Sequence, residues 1–360
     1  MFLLYAGFLT LILGLLALDL GVLHRKAHVV GVREAMAWSV LWMSLAMVFG
    51  VFVYFAYEGH WLGLGGAIDP VDRQLNDGAR AALKYVTGYL IELSLSVDNL
   101  FVMAIVFSSF GVPGLYQHRV LFWGILGALV MRGAMIGMGA LLIQRFHWIL
   151  YLFGVFLIWT AFKMLSFKVE NPEPQNNVVV KLARRFFPVT RHFHGESFFV
   201  RAGSEASRAL RVPDGGGVDR DPAVEAAAPG TLMITPLFLA LLMVETCDVV
   251  FAVDSVPAIF SITADPFLVF TSNVFAILGL RSLFFALAGM LNRFHLLEVS
   301  LAIVLGLVGA KMLAAHWLEQ WLGHEYNFVM LALVVLILVG GVVASLAFPP
   351  HEEEEGGAAD

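Results

Sequence analysis

The chain has 360 residues, 59% apolar and 14% charged, with a mean hydropathy of +0.82 and a formal net charge of -6. Soluble domains carry about 25% charged residues, so an ordinary soluble domain is excluded and an all-α polytopic membrane protein is expected. The acidic balance owes much to the tail Glu352–Glu355 and gives no sign of nucleic-acid binding, and the single cysteine, Cys247, excludes an internal disulfide framework or a multi-cysteine zinc site.

Taken in order, apolar stretches of spanning length lie near 2–23, 35–57, 82–110, 120–142, 147–165, 231–263, 266–290, 296–314 and 326–348, which predicts about nine transmembrane helices. The first lacks a basic start and a small-residue cleavage site, so it reads as a helix rather than a signal peptide. The stretches at 82–110 and 231–263 exceed the roughly 20 residues of a straight span, and both carry carboxylates. A steep tilt or a break is expected there, and Pro257 favours a break in the second. Arg25, Lys26 and Arg33 follow the first helix, and nine further basic residues lie between Lys168 and Arg220. The positive-inside rule then puts both regions in the cytoplasm. The acid-rich loop from Glu58 to Arg80 falls outside. The N-terminus is expected outside and the C-terminus in the cytoplasm, in a bacterial inner membrane.

The hydrophilic segment 166–230 changes composition sharply, and its half from Ala202 to Gly230 reads as a mobile linker. Within it His192, His194 and Glu196 form either a peripheral metal contact or a solvated cluster beside the membrane.

Residues 144–165 (QRFHWILYLFGVFLIWTAFKML) align without a gap to 292–313 (NRFHLLEVSLAIVLGLVGAKML). One helix earlier Arg132 matches Arg281, and before that Glu92 to Asn99 matches Asp248 to Ser255. Each unit holds three helices, an odd number, so the second copy enters the membrane inverted. This is the plan of many secondary transporters, with the site where the repeats meet. The expected organisation is 1–80 (two helices and an outer loop), 81–165 (first repeat), 166–230 (cytoplasmic loop), 231–314 (second repeat) and 315–360 (last helix and acidic tail).

Charged residues at membrane depth are costly and mark ion or substrate paths. At 100° per residue, Glu92 and Asp98 point about 120° apart, as do Asp248 and Asp254, whereas Glu92 shares a face with Asn99 and Asp248 with Ser255. Glu245 and Asp248 are neighbours on one face. The pairs therefore either converge by local unwinding or line successive stations along a path. The available donors are carboxylates, an amide, hydroxyls and freed carbonyls, a hard oxygen set suited to Mg, Ca or Mn. Cys247 would add a soft ligand unless it merely packs. Arg132, Lys163, Arg281 and Lys311 are expected as buried counter-ions. They are either permanent or paired with the acids only once the ion has left, and the two lysines can also snorkel to the interface. Asp19 is either a sixth acid of the site or one partner of an interfacial ion pair.

The stretch from Glu92 to Asn99, VETCDVVFAVDSVPAIFSIT at 244–263, TSNVFAILGLRSLFF at 271–285 and Lys-Met-Leu at 311–313 together resemble the TerC/Alx family of integral membrane proteins. The resemblance runs from about Asp19 to Trp317. It implies an association with tellurite resistance, manganese export in some members, a membrane-bound redox modulator in others, and kinship with LysE-type transporters. It carries Glu92, Asp98, Asn99, Glu245, Asp248, Asp254 and Ser255 over as site residues. Cys247 stands where the family often has Thr or Ser. The expected function is export of a divalent cation, most of all Mn2+, with no permanently bound cofactor and with the bilayer and the ion as partners. Two rivals are a non-transporting scaffold or redox modulator in stress resistance, and an intramembrane aspartyl enzyme in which Asp98 and Asp254 share a proton.

Overall fold

A computed structural model describes residues 2–18, 31–146, 148–166, 177–203, 221–287, 297–322 and 326–347. Asp19, and the side chain of Asp98, lie outside the described residues.

The protein is mostly helical. Helices α1 (Phe2–Leu18), α2 (Val32–Glu58), α3 (Gly78–Ser109), α4 (Gly114–Arg145) and α5 (Ile149–Ser166) precede the hydrophilic segment, which holds α6 (Val178–Phe186), strand β1 (Phe199–Arg201), the short α7 (Pro222–Ala226) and strand β2 (Leu232–Ile234). Then follow α8 (Pro236–Phe260), α9 (Pro266–Leu287), α10 (Leu297–Leu322) and α11 (Tyr326–Ala347). Among the described residues, α2, α4, α5, α8 and most of α9 are long and apolar enough to cross a membrane, and α1, α10 and α11 hold shorter apolar stretches.

The surface is unlike that of a soluble protein. Val40, Leu141, Phe162 and Leu336 are exposed, while Lys84, Glu92, Arg132 and Asp248 are buried. Apolar side chains cover the outside because lipid surrounds it, and the polar groups turn inward because only protein can satisfy them there. Side chains of α1, α2 and α9 interlock through tilted ring contacts, with Phe49 centred 5.3 Å from Phe8 and 4.9 Å from Phe275.

Small residues set the closest helix contacts. Helix α5 packs along α10, and a Cβ placed on Gly309 would come within 2.7 Å of the Gly154 carbonyl oxygen. Only glycine permits that approach, which is how membrane helices gain contact without a hydrophobic drive between them. Helix α3 packs on α9 across Gly88 and Ser272, and α4 packs on α8 across Gly124 and Val244. Helices α3 and α8 also touch each other, as do α4 and α9.

Three expectations change. Helix α8 passes through Pro257 without a break and ends three residues later, where the Ser261 N–H donates to the Pro257 carbonyl at 3.1 Å. A proline removes one N–H bond and crowds the carbonyl four residues back, a local loss that α8 spans without ending. Helix α3 is likewise continuous over 32 residues.

The loop after α2 is not a simple outer loop. Asp69, Asp72 and Asn76 are buried, and the Lys84 ammonium donates to Asp69 at 2.9 Å and Asn76 at 2.7 Å, and lies 2.8 Å from Asp72. The Thr263 hydroxyl and the Ala264 N–H also donate to Asp69, so the loop is tied to the far end of α8. Burial alone would push the Asp69 carboxyl up, but Lys84 and Thr263 outweigh it and hold it below the ordinary carboxylate value.

Part of the segment expected to be a mobile linker is folded. Within Ala202–Gly230, α7 forms on its Asp221 cap, and the Gly230 N–H donates to the Ala202 carbonyl at 2.7 Å beside the flanking antiparallel strands β1 and β2, Arg201 opposite Leu232. Asp221 is buried and accepts the backbone N–H groups of Arg191, His192 and Ala223 at 2.8–2.9 Å. These bonds outweigh its burial and lower its carboxyl pKa.

Candidate functional site

Helices α3, α4, α8 and α9 meet around one guanidinium. Arg132, on α4, is 1% exposed. Its Nη2 donates to Asp248 Oδ1 at 3.0 Å and its Nε lies 3.4 Å from Oδ2 of the same carboxylate. Its Nη1 pairs with Glu92 of α3, donates to Asn273 Oδ1 at 3.2 Å, and lies 3.5 Å from the Ser255 hydroxyl. Asn273, on α9, turns its amide N–H to Glu92 Oε2 at 3.2 Å. The planar, permanently charged guanidinium bridges two carboxylates through fixed donor directions, so the first acids of both acidic stretches are held by one side chain.

The 3.6-residue period explains which acids join. Asp248 and Ser255, on one face of α8, both point to Arg132, whereas Asp254 accepts the Thr160 hydroxyl of α5 at 3.3 Å. The expected angle between Asp248 and Asp254 therefore holds, and they serve different neighbours rather than converging. Glu245 lies one turn before Asp248 with its carboxylate against Gly127 of α4, where any Cβ would collide with it. Cys247 is half-buried among the apolar side chains of α3, α4 and α8, in keeping with a packing thiol.

On α3, Glu92, Ser96 and Asn99 fall within an arc of about 60° at 100° per residue. All three are buried, and among the described residues Ser96 Oγ and Asn99 Oδ1 have no hydrogen-bond partner. An orphaned buried oxygen costs about 1–3 kcal/mol, and these two lie on the face of α3 that carries Glu92. Among the described residues no three His, Cys, Asp or Glu side chains converge closely enough to hold a metal ion. Arg132 stands between Glu92 and Asp248.

The expected counter-ions divide. Arg132 and Arg281 are buried. Lys163 is exposed and lies over the Trp159 ring at 5.6 Å, which corrects its placement as a buried counter-ion. Its position near the end of α5 lets the ammonium reach polar surroundings. Lys311 is buried but donates to the Ser261 carbonyl at 3.2 Å and, with Lys84, lines a cavity of about 20 Å³, room for a single water. Its charged surroundings are Asp69, Asp72 and Lys84, so it belongs to the loop cluster rather than to Glu92 and Asp248.

Near the hydrophilic segment, Glu196 pairs with Arg119 at 2.9 Å, and His194 is buried with Nε2 3.5 Å from Asp221. The polar groups that sequence reasoning missed are Ser96 and Asn273. Ser96 sits one turn from Glu92, a signal that was available, whereas a lone Asn in an apolar helix carries no pattern.

The model of the Integral membrane protein TerC family matches residues 77–352. An uncharacterized membrane protein of Myxococcus xanthus is 43% identical over 97% of this chain and 93% of its own length. A protein of Escherichia coli provisionally named membrane-bound redox modulator Alx is 37% identical over 99% of this chain and 98% of its own. A membrane protein of Rickettsia felis is 35% identical over 94% and 96%. No solved structure matches the chain. With a family match over most of its length and relatives aligned nearly end to end, the chain belongs to the TerC family of integral membrane proteins.

Proposed function

We propose that the protein is a transporter, not an enzyme, that exports a divalent cation, Mn2+ foremost, across the bacterial inner membrane. The observation that carries the reading is the buried meeting of Glu92 and Asp248, from α3 and α8, beside oxygens of Ser96, Asn99, Ser255 and Asn273. All are hard donors, the kind that selects Mg, Ca or Mn over Cu(I), and the one soft atom, the Cys247 thiol, packs among apolar neighbours.

Helix packing supports two inverted three-helix repeats among about nine transmembrane helices. Exchanging α3, α4 and α5 for α8, α9 and α10 turns the α3–α9 contact into α8–α4, and turns α5–α10, α3–α8 and α4–α9 into themselves. A site on such an axis is reached from either side when the helices of one repeat that line it move against those of the other. The expected orientation, N-terminus out and C-terminus in, makes the acidic loop after α2 the outer closure. The relatives' provisional name points to redox chemistry, but a chain with one cysteine has no internal dithiol to cycle.

The test is flux of Mn2+, Mg2+, Ca2+ and Zn2+ into liposomes holding purified protein. Mn2+ flux is expected in the wild type and is expected to be lost in Glu92→Gln and Asp248→Asn. Wild-type flux in both variants at equal protein content would remove the site.

A further inference from the structure

The Arg132 guanidinium engages almost every oxygen that a cation between α3 and α8 would need: Glu92, both oxygens of Asp248, Ser255 and Asn273. The Ser96 and Asn99 oxygens beside Glu92 remain unpartnered. A resident guanidinium and a divalent cation cannot share the two carboxylates, because like charges repel strongly in a low-dielectric interior. The cation-loaded arrangement must therefore differ from this one.

We infer that Arg132 is a tethered stand-in for the transported cation. It occupies Glu92 and Asp248 while the site is empty, and is displaced when the cation arrives and takes up the Ser96 and Asn99 oxygens. The inference rests on the cation-transport reading above and deepens it. A chain that closes over an unloaded site would otherwise bury two unpaired carboxylates, so an internal cation lets the empty carrier return. The same competition limits affinity, and so favours release on the far side. Arg132 then acts as a positioning residue that sets affinity and permits the empty return.

Equilibrium Mn2+ binding to purified protein, with Arg132→Gln and Ser96→Ala, tests this. Removing a competing charge-assisted pair is expected to tighten binding about tenfold or more, while export by Arg132→Gln falls because the empty site no longer closes neutralised. In Arg132→Ala, added guanidinium ion is expected to compete with Mn2+ and restore weak binding, which it does not do in the wild type. A merely structural arginine would not produce that competition. Ser96→Ala, which leaves Arg132 intact, is expected to weaken Mn2+ binding without lowering the melting temperature. Equal or weaker binding in Arg132→Gln, or unaltered binding in Ser96→Ala, would overturn the inference. If the wild type itself binds no divalent cation, the transport reading fails first, and that outcome is distinct.

Discussion

Lys84→Met is the sharpest probe of the loop that closes over α3 and α8. It removes the ammonium shared by Asp69, Asp72 and Asn76 at 2.7–2.9 Å while keeping the length of the side chain. Breaking a buried ion pair by deleting one partner costs about 3–5 kcal/mol. With an unfolding entropy of about 2.1 cal/mol/K per residue over 360 residues, that is a fall in melting temperature of about 4–7 °C. The sign with pH adds a second test. In the wild type the Asp69 carboxyl lies below its ordinary value, so its contribution is complete above about pH 4 and is lost only as pH falls through the lower folded value. In Lys84→Met only the Thr263 hydroxyl and the backbone N–H bonds still oppose burial, so the carboxyl is expected to rise above its ordinary value and this variant to gain stability as pH is lowered from 7 toward 5. The triple change Lys84→Met, Asp69→Asn, Asp72→Asn is expected to recover at least half of the loss. Thermal unfolding followed by circular dichroism in detergent at several pH values measures all three. A Lys84→Met protein with the wild-type melting temperature and pH slope would show that the loop is not held by this cluster.

Two further outcomes follow from specific contacts. Gly127→Ala puts a methyl group where the Glu245 carboxylate rests. The helix gains up to about 1 kcal/mol from the alanine against about 1–3 from crowding, so stability changes little, while Mn2+ binding measured by titration is expected to weaken about tenfold if Glu245 serves the ion. Asp221→Ala removes the cap of α7 and the acceptor for Arg191 and His192. Losing the cap alone costs about 1 kcal/mol, and limited proteolysis is expected to cut residues 188–234 sooner with Mn2+ flux intact. The lowered Asp221 carboxyl means that wild-type protection persists from pH 8 to 5 and declines only below about pH 4.

Where the spans lie was legible because long apolar runs have few other uses, and the facing of Asp248 and Asp254 followed from the helical period. The loop cluster was not legible. Asp69 and Asp72 look like solvated surface in one dimension and Lys84 like the start of a span, and only the closure onto Thr263, remote in sequence, buries them together. The pairing of β1 with β2 was hidden for the same reason, since its partners are three residues each and about thirty apart. Pro257 misled because the missing N–H and the crowded carbonyl four residues back are a local cost that need not end a helix, and the end itself was not marked. The orphaned Ser96 and Asn99 oxygens are visible only once neighbours that fail to reach them are in place.

The contact between Gly154 and Gly309 has a mechanical consequence. Two backbones that nearly touch have no side-chain layer to slide through, so α5 and α10 resist shear and act as one slab. Any rearrangement that opens the polar centre must then leave that slab intact and be taken up by α3, α4, α8 and α9 turning against it. The stiffest seam of the molecule thus fixes the axis about which its softest part can move.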